Sequence, residues 1–352
     1  MSEVVAMHKP MAKRTPLRNV RAFRSAILGW FHEQGRDYPW RRTTDPYAIL
    51  VSEIMLQQTT VAAVLQNRRF ERFLATFPDL ATLATASEAE LLREWEGLGY
   101  YNRVRNLQKT ARVVLAEHNG RFPSDPILLA TLPGIGRYTA GAVASFAFDR
   151  STPIVDANIA RVLTRLFNHR APIDTTESRH QLWSWADNLV PPQNARAFNS
   201  AVMELGQTHC SARVPACLDC PVHDFCSTRN PASLPTKKPK RKTMEVIEHV
   251  LFIQKRNGSI LLAQEGGSRR NGLWKLPERS HHQVADFPHL ATRKYSITHH
   301  RVTLHIHRCP TSQVPPKPVN SIEQFHSPQA LAALPMASPF RQALLALMER
   351  KR

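Results

Sequence analysis

Four cysteines in one short segment are the feature that most restricts how this chain can fold. They are Cys210, Cys217, Cys220 and Cys226, with the spacing C-x6-C-x2-C-x5-C. Four thiolates this close in sequence suit either a tetrahedral zinc ion or a 4Fe–4S cluster. Zinc sites usually pair two C-x2-C knuckles across a longer loop, and this segment has only one. The spacing therefore favours iron and sulfur, with zinc as the alternative.

The remaining cysteine and the termini indicate an intracellular protein. Cys309 is a fifth, unclustered thiol, and an odd count with four clustered is typical of a metal site in a reducing compartment. No apolar run reaches the ~18–20 residues of a membrane span. Residues 1–20 are basic but lack the apolar stretch of a signal peptide, so we expect a flexible arm. We expect a cytoplasmic, nucleoid-associated bacterial protein.

The charge of the chain indicates a polyanionic partner. Lys and Arg number 47 against 28 Asp and Glu, which gives a formal charge of +19. Basic side chains that neutralise phosphates release condensed counterions, so a soluble protein this basic usually binds nucleic acid. A generally basic surface is the alternative.

Apolar periodicity and composition predict two domains. Apolar residues recur at helical spacing from residue 22 to 225, and Asp45-Pro46 and Ser87 with Glu90 have the form of helix starts. A Pro- and Lys-rich stretch follows, and then β-leaning runs at 246–253, 260–264 and 302–307 with a last helix at 339–348. The fold class is therefore mainly α, followed by a smaller α+β domain. The predicted divisions are an arm at 1–20, a helical domain at 21–229, a linker at 230–245 and the α+β domain at 246–352.

A glycine pair predicts a hairpin between two helices. The sequence LPGIG at 132–136 precedes a helical run at 139–148. Gly134 and Gly136 would let the backbone approach a ligand closely, and the helix after them offers free N–H groups to a phosphate. This is the form of a helix–hairpin–helix DNA-binding element, and an ordinary interhelical turn is the alternative.

Two separated carboxylates have the form of an acid and a fixed anion. Glu53 interrupts an apolar helical run at 49–56, and in a cleft wall its pKa would be raised so that it could act as a general acid. Otherwise it marks the exposed edge of the helix. Asp156 stands directly before a helix, where its ordinary role is an N-cap. A capping carboxylate is rigidly aimed and should stay ionised, so it could also stabilise an oxocarbenium ion.

Amide and aromatic side chains beside basic residues form a further candidate surface. Gln57 and Gln58 follow Glu53 by one helical turn, and the GLGYY segment at 97–101 precedes Arg103 and further basic residues. Such residues suit a protein that wedges into a base stack. A tyrosine pair packed in the core is the alternative.

Taken together, these motifs resemble those of the helix–hairpin–helix glycosylase superfamily, and specifically of MutY-type adenine DNA glycosylases. The resemblance covers residues 23–226 and rests on YPWR at 38–41, SEIMLQQT at 52–59, GLGYY at 97–101, LPGIG at 132–136 and VDAN at 155–158. It implies a 4Fe–4S cluster on the four cysteines. It also implies hydrolysis of the N-glycosidic bond of adenine opposite 8-oxoguanine or guanine in double-stranded DNA, by a monomer.

The resemblance also implies a role for each matching residue. Glu53 would protonate N7 of adenine and then help to activate water, and Asp156 would stabilise the oxocarbenium-like sugar. The other implied roles are support of the carboxylates and of the flipped base by Tyr138 and Asn158, lining of the pocket by Arg41, filling of the gap beside the partner base by Gln58 and Tyr100, and binding of backbone phosphate by Gly134 and Gly136.

An endonuclease III-like glycosylase/lyase is the nearest rival, and it shares the fold and the cluster. Its chemistry needs a lysine amine, which that family places after the hairpin, where this chain has Tyr138. The rival family also lacks a glutamate at the position of Glu53. Both departures favour the monofunctional adenine enzyme. A DNA-binding module without catalysis is the alternative from another class.

The C-terminal region resembles the Nudix-like domain with which MutY proteins recognise 8-oxoguanine. Residues 272–277 resemble its first strand region, and Ile297-Thr298-His299 stands where the family has Phe-Ser-His. Thr298 keeps the hydroxyl, but Ile297 replaces an aromatic ring. We expect Thr298 and His299 to contact DNA. No acidic Nudix box lies between 265 and 290, so we expect recognition without nucleotide hydrolysis.

Overall fold

The computed structural model describes residues 17–239, 243–266, 271–297, 299–319 and 321–349. Most of the predicted N-terminal arm, part of the predicted linker and Thr298 therefore lie outside the described residues. No helix in the described ranges is long and apolar enough to cross a membrane.

The first part of the chain is helical, as the periodicity predicts. Its helices are α1 (Val20–Gln34), α2 (Pro46–Leu56), α3 (Val61–Leu65), α4 (Arg69–Thr76), α5 (Leu80–Thr85), α6 (Glu88–Glu94), α7 (Asn102–Glu117), α8 (Pro126–Leu129), α9 (Arg137–Phe148), α10 (Ala157–Leu166), α11 (Thr176–Leu189) and α12 (Ala195–Thr208). Short 3-10 turns lie at Pro39–Arg41, Gln66–Arg68, His223–Phe225 and Pro231–Ser233.

Strands predominate after residue 243. The elements are β1 (Met244–Phe252), β2 (Ile260–Gln264), β3 (Trp274–Lys275), β4 (Glu278–Arg279), α13 (His281–Val284), β5 (His289–Ile297), β6 (His300–Arg308), β7 (Ile322–His326), α14 (Pro328–Ala333) and α15 (Ser338–Glu349). They form a four-stranded sheet in the order β4-β1-β6-β5 and a three-stranded sheet in the order β3-β2-β7. Strand β1 runs parallel to β6, and the other pairs are antiparallel.

Contacts divide the chain into two compact units that alternate in sequence. Unit 1 is Met1–Val61, Leu74–Ala84 and Asn106–Pro239, and unit 2 is Ala62–Phe73, Thr85–Arg105 and Lys240–Arg352. Two helical segments thus group with the C-terminal region, which composition along the chain does not predict. The linear domain boundaries stay a prediction.

Two predicted helix starts are confirmed. Asp45 accepts hydrogen bonds from the backbone N–H groups of Tyr47 and Ala48, both at 3.1 Å, and Pro46 occupies the first helical position of α2. Ser87 and Glu90 form the capping box of α6. Helix α2 ends at Leu56, because the backbone of Gln57 is extended.

The core of unit 1 packs α1 against α10, α11 and α12. Phe23 on α1 makes edge contacts with the rings of Phe198 and Phe225, at centroid distances of 6.3 and 5.7 Å. The same core includes Ala142 of α9 and Ile154, which precedes α10. The core therefore fixes the segment between α9 and α10, which carries Asp156.

Within unit 2, a buried ion pair joins the two sheets. Arg279 on β4 donates to both carboxylate oxygens of Glu323 on β7, at 2.7 and 2.9 Å. Both side chains are almost completely buried. Breaking such a pair would leave an unpaired buried charge, which is strongly destabilising. The ion pair therefore keeps the two sheets in a fixed relative position.

The approach of α9 to residues 153–154 depends on Gly141. A Cβ atom there would lie 2.7 Å from the carbonyl oxygen of Pro153, closer than real Cβ atoms come. Gly141→Ala should therefore lower the free energy of unfolding by about 1–3 kcal/mol, the usual cost of overpacking. Urea unfolding would measure it.

Gly29 in α1 is the matched control, because a Cβ atom there meets nothing within 4 Å. Gly29→Ala should raise stability by up to about 1 kcal/mol through helix propensity alone. A Gly141→Ala variant as stable as the parent would show that α9 can move away from Pro153 without cost.

Candidate active site

A cleft of about 640 Å³ in unit 1 collects most of the predicted catalytic residues. Its walls come from the end of α2, the start of α9, the start of α10 and one face of α12. The predicted site residues that line it are Glu53, Tyr138, Asp156, Asn158, Arg41 and Gln58. With the turn that carries Arg41, five separate segments of the chain thus meet at one cavity.

Glu53 is a buried carboxyl in the wall of this cleft. All nine residues from Tyr47 to Met55 on α2 are buried, and Glu53 is only 5% exposed. Burial raises the pKa of Glu53 to about 7, the charge of Asp156 adds to the rise, and a hydrogen bond from the Tyr138 hydroxyl opposes it. Glu53 is therefore partly protonated at neutral pH, as its predicted role as a general acid requires.

Asp156 is both an N-cap and part of the cleft wall, so the two interpretations of its sequence position are compatible. One carboxylate oxygen accepts from the backbone N–H of Ile159 at 2.6 Å, and the other accepts from the Asn158 amide at 2.8 Å. Burial raises the pKa of Asp156, while these hydrogen bonds and the charge of Arg161 oppose the rise. The expectation that a capping carboxylate stays ionised took no account of this desolvation.

The side chain of Asn158 is held in one orientation. Arg161 donates to its side-chain oxygen at 2.9 Å, to the carbonyl of Gly206 at 2.6 Å and to the carbonyl of Cys210 at 2.8 Å. A Cβ atom at Gly206 would lie 2.8 Å from the Cβ atom of Asn158. Arg161 thus connects the first cysteine of the cluster segment to the Asn158–Asp156 pair.

Tyr138 stands on the first turn of α9, directly after the hairpin. Its hydroxyl donates to Glu53, and burial followed by the nearby carboxylates holds its pKa far above the ordinary value. Tyr138 is therefore a neutral hydrogen-bond donor that fixes the Glu53 carboxyl.

Arg41 lines the cleft, but its charge is neutralised by an ion pair that the sequence did not predict. Its guanidinium pairs with Glu204 on α12, which is 1% exposed. It also lies over the rings of Phe31 and Tyr38, at 5.0 and 4.8 Å. Arg41 therefore shapes the cleft wall as half of an ion pair.

Helix α12 supplies a wall that the sequence analysis missed. Its cleft-lining residues are Arg196, Ser200, Met203 and Gln207. Their spacing of three and four residues places them on one face of a helix, and this spacing was the signal in the sequence that could have identified the wall. That face mixes a cation, a hydroxyl, a thioether and an amide, so no single chemical type marked it.

Gln58 and Tyr100, the two predicted wedge residues, both have positive φ, at 52° and 47°. Gln58 is exposed and lines the cleft. Tyr100 belongs to unit 2, is 46% exposed and lines a different pocket of about 400 Å³ together with Tyr295 and Ile297. His299 is exposed in unit 2, with its ring 4.1 Å from that of His300.

The glycine hairpin has the predicted form. Gly134 has φ +75°, and a Cβ atom there would lie 2.6 Å from the Cβ atom of Asn106 on α7. Gly136 is the N-cap of α9 and provides no side-chain cap. The first turn of α9 therefore has N–H groups without a side-chain cap, as phosphate binding requires.

The four cysteines are half-buried and interact electrostatically. Burial raises the pKa of Cys220 to about 11, and the other three thiols add to the rise. The buried Arg165 donates to the sulfur of Cys210 at 3.3 Å and to the carbonyl of Ser211 at 2.7 Å. Among the described side chains, no three His, Cys, Asp or Glu residues are grouped as ligands of one metal ion.

Comparison with known proteins agrees with this geometry. Residues 51–188 match the HhH-GPD superfamily of base excision DNA repair proteins. The chain is 40% identical over 217 residues to the adenine DNA glycosylase of Mycobacterium tuberculosis. This match covers 61% of this chain and 70% of that protein.

Two further relatives match a similar part of the chain. The human adenine DNA glycosylase is 44% identical over 219 residues, 60% of this chain and 40% of that protein, so the chain spans less than half the length of that relative. The structure of a thermostable thymine-DNA glycosylase superposes with a TM-score of 0.54 at 33% identity, over 59% of this chain and 95% of that one.

The helical fold and the cleft that holds Glu53, Tyr138 and Asp156 define a base-excision glycosylase of the helix–hairpin–helix class. Within that class, the chain belongs to the adenine DNA glycosylase family.

The raised pKa of Glu53 predicts a pH-dependent stability. The stabilising contribution of its protonated form is fully present below about pH 4.5, the unfolded value, and is lost as the pH rises through about 7. Glu53→Gln removes the buried charge and should stabilise the protein at about pH 8 by on the order of 3 kcal/mol, with no gain at about pH 4.5.

Chemical unfolding at the two pH values would measure this difference. Glu33→Gln, on the exposed side of α1, is the control and should change stability at neither pH. Destabilisation by Glu53→Gln at the higher pH would mean that the cleft stabilises an ionised Glu53.

Proposed function

We propose that this chain is a monofunctional glycosylase that removes adenine opposite 8-oxoguanine or guanine in double-stranded DNA by hydrolysing the N-glycosidic bond. The observation that carries the proposal is a carboxyl with a pKa of about 7, Glu53, in one cleft with the capping carboxylate of Asp156. Two carboxylates in different environments are the usual means of cleaving a glycosidic bond.

The two carboxyls would act in sequence on a base flipped out of the duplex. Protonated Glu53 donates its proton to N7 of adenine, so that the base leaves with the electron pair of the glycosidic bond. The cation that forms on the sugar is stabilised by the charge of Asp156. The Glu53 carboxylate then accepts a proton from the attacking water, which restores the acid.

Tyr138 and Asn158 would act as positioning residues. The Tyr138 hydroxyl stabilises the charged form of Glu53 and so keeps its pKa from rising further. Asn158 holds one oxygen of Asp156, and Arg161 holds Asn158. The carboxylates are thereby fixed before substrate binds, which is how such groups stabilise a transition state efficiently.

The lining of the cleft supports hydrolysis over lyase chemistry. A lyase needs an amine to form a Schiff base. Tyr138 occupies the position after the hairpin, and the described residues that line the cleft include no lysine. Water is then the nucleophile, and the product is an abasic site in an intact strand.

Binding of the duplex would use the hairpin and the net charge of +19. Gly134 and Gly136 open the first turn of α9 to a backbone phosphate, while Gln58 and Tyr100 would fill the space left by the flipped base. We propose that a single copy of the chain binds the duplex. A cytoplasmic, nucleoid-associated location stays a prediction.

Recognition of 8-oxoguanine is proposed for the C-terminal strands, as a Nudix-like domain without hydrolase activity. Tyr100, Tyr295 and Ile297 line one pocket in unit 2, which offers aromatic and aliphatic surface to a base. His299 follows it on the turn between β5 and β6. Thr298, the other proposed contact, lies outside the described residues.

We further propose that Cys210, Cys217, Cys220 and Cys226 hold a 4Fe–4S cluster. Half-buried thiolates raise one another's pKa, and a bound cation would relieve that repulsion. Four thiolates in one segment with a single C-x2-C pair are a ligand set that such a cluster uses. When bound, the cluster would crosslink this segment and supply no step of the hydrolysis.

Single-turnover excision from a duplex with adenine opposite 8-oxoguanine tests the function. Strand breaks should appear only after alkali, because the product is an abasic site. Glu53→Gln should slow excision by about 10²–10⁴-fold and Asp156→Asn by about 10²–10³-fold. The rate for the parent should fall as the pH rises above about 7, because Glu53 loses its proton.

Asp125→Asn is the matched control, because Asp125 caps α8 and does not line the cleft. It should excise adenine at the parental rate. Breaks without alkali would contradict the monofunctional mechanism. Tight binding with no excision by the parent would instead support a DNA-binding module.

Replacing cysteines one at a time tests the cluster. Each of the four Cys→Ser variants should lose iron and acid-labile sulfide, while Cys309→Ser, the control, should keep about four irons per chain. Cys309 is buried against the C-terminal core, away from the other thiols in sequence. One zinc ion per chain in the parent would contradict the proposal.

A further inference from the structure

Five histidines gather beside one face of the four-stranded sheet. His249 lies on β1, His305 and His307 on β6, His289 on β5, and His281 at the start of α13. His249 pairs in register with His305, and His289 pairs in register with His307. Side chains of directly paired residues point to the same face of a sheet, so the four strand histidines share one side.

Imidazole nitrogens of neighbouring rings in this histidine cluster lie close enough together to bind one metal ion. The Nδ1 atom of His249 lies 3.2 Å from the Nε2 atom of His307. The Nδ1 atom of His305 lies 3.5 Å from the Nε2 atom of His289. The ring of His281 has its centroid 5.0 Å from that of His249.

These nitrogen–nitrogen distances match the distance between two ligand nitrogens of one tetrahedral metal ion. Zinc binds imidazole nitrogen at about 2.0–2.1 Å, which places two such nitrogens about 3.3–3.4 Å apart. Neutral imidazole nitrogen is the commonest side-chain ligand of such ions in proteins. A proton shared between two rings fills the same gap in the absence of metal.

The sheet beneath the cluster is buried on one face, and its histidine-bearing face is open to solvent. Val250, Leu304 and Ile306 alternate with the histidines on β1 and β6 and are fully buried on the opposite face. His249, His305 and His307 are half-buried, whereas His281 and His289 are exposed. An ion can therefore reach nitrogens that the backbone register already holds in place.

We propose that this histidine cluster binds a divalent transition metal ion such as Zn²⁺, with His249 Nδ1 and His307 Nε2 as the first two ligands. No three such side chains in the described part of the chain already surround one point. Water therefore completes the coordination, and the exposed His281 and His289 can replace it by side-chain rotation. The proposed site takes part in no step of base removal.

Calorimetric titration of the full-length, cluster-loaded protein with Zn²⁺ above neutral pH tests the proposal. We expect one ion per chain outside the cysteine segment. His249→Gln and His307→Gln should each raise the dissociation constant at least about tenfold, since even residues that only orient a ligand cost 10–100-fold. His180→Gln, an exposed histidine on α11, is the matched control and should bind as the parent does.

Nitrogen NMR of the histidine rings in the parent gives a second measurement that needs no variant. Zn²⁺ should shift the Nδ1 resonance of His249 and the Nε2 resonance of His307. Unchanged shifts, unchanged affinity in both variants, or no binding by the parent would each overturn the proposal. Neither measurement uses the assay for base removal. A failure of the metal-site proposal can therefore be told apart from a failure of the proposed glycosylase function.

Discussion

Desolvation of Glu53 is the constraint on which the organisation of the cleft depends. Helix α2 is buried from Tyr47 to Met55, so the Glu53 carboxyl is largely removed from bulk water and its pKa rises to about 7. A buried acid needs partners, and Tyr138 and the neighbouring Asp156 act on it from two other helices. The positions of α9 and α10 relative to α2 thus determine both the protonation state and the orientation of the Glu53 carboxyl.

The second carboxylate is kept close by a different means. Asp156 is partly desolvated, but it accepts hydrogen bonds from the first turn of α10 and from Asn158, which favour its charged form. Close packing at two glycines holds this arrangement, because Gly141 admits the Pro153 carbonyl and Gly206 admits Asn158. Two carboxyls a short distance apart therefore differ in their environments, and that difference separates an acid from an anion.

Local sequence signals predicted much of this structure. The caps at Asp45 and Ser87, the glycine hairpin and three of the strands depend on neighbouring residues, and each is confirmed. The sequence left Glu53 either in a cleft wall or at an exposed helix edge, and its burial decides for the cleft wall. Strand β5 was missed, because its sequence is mostly polar and only pairing with β6 reveals it. The Glu204–Arg41 pair was also missed, since it joins residues far apart in sequence. The grouping of helical segments 62–73 and 85–105 with the C-terminal region likewise depends on long-range contacts.

The pairing of Arg41 with Glu204 bears on the charge balance inside the cleft of a strongly basic protein. Arg41 stands in the cleft wall, but the buried Glu204 neutralises its charge. Among the described lining residues, the other charged side chains are the cation Arg196 and the carboxyls Glu53 and Asp156, and Glu53 is partly protonated at neutral pH. The cleft is therefore close to electrically neutral, whereas the chain as a whole has a net charge of +19. Under the proposed function, this contrast would hold the phosphate backbone at the basic surface while the uncharged base enters the cleft.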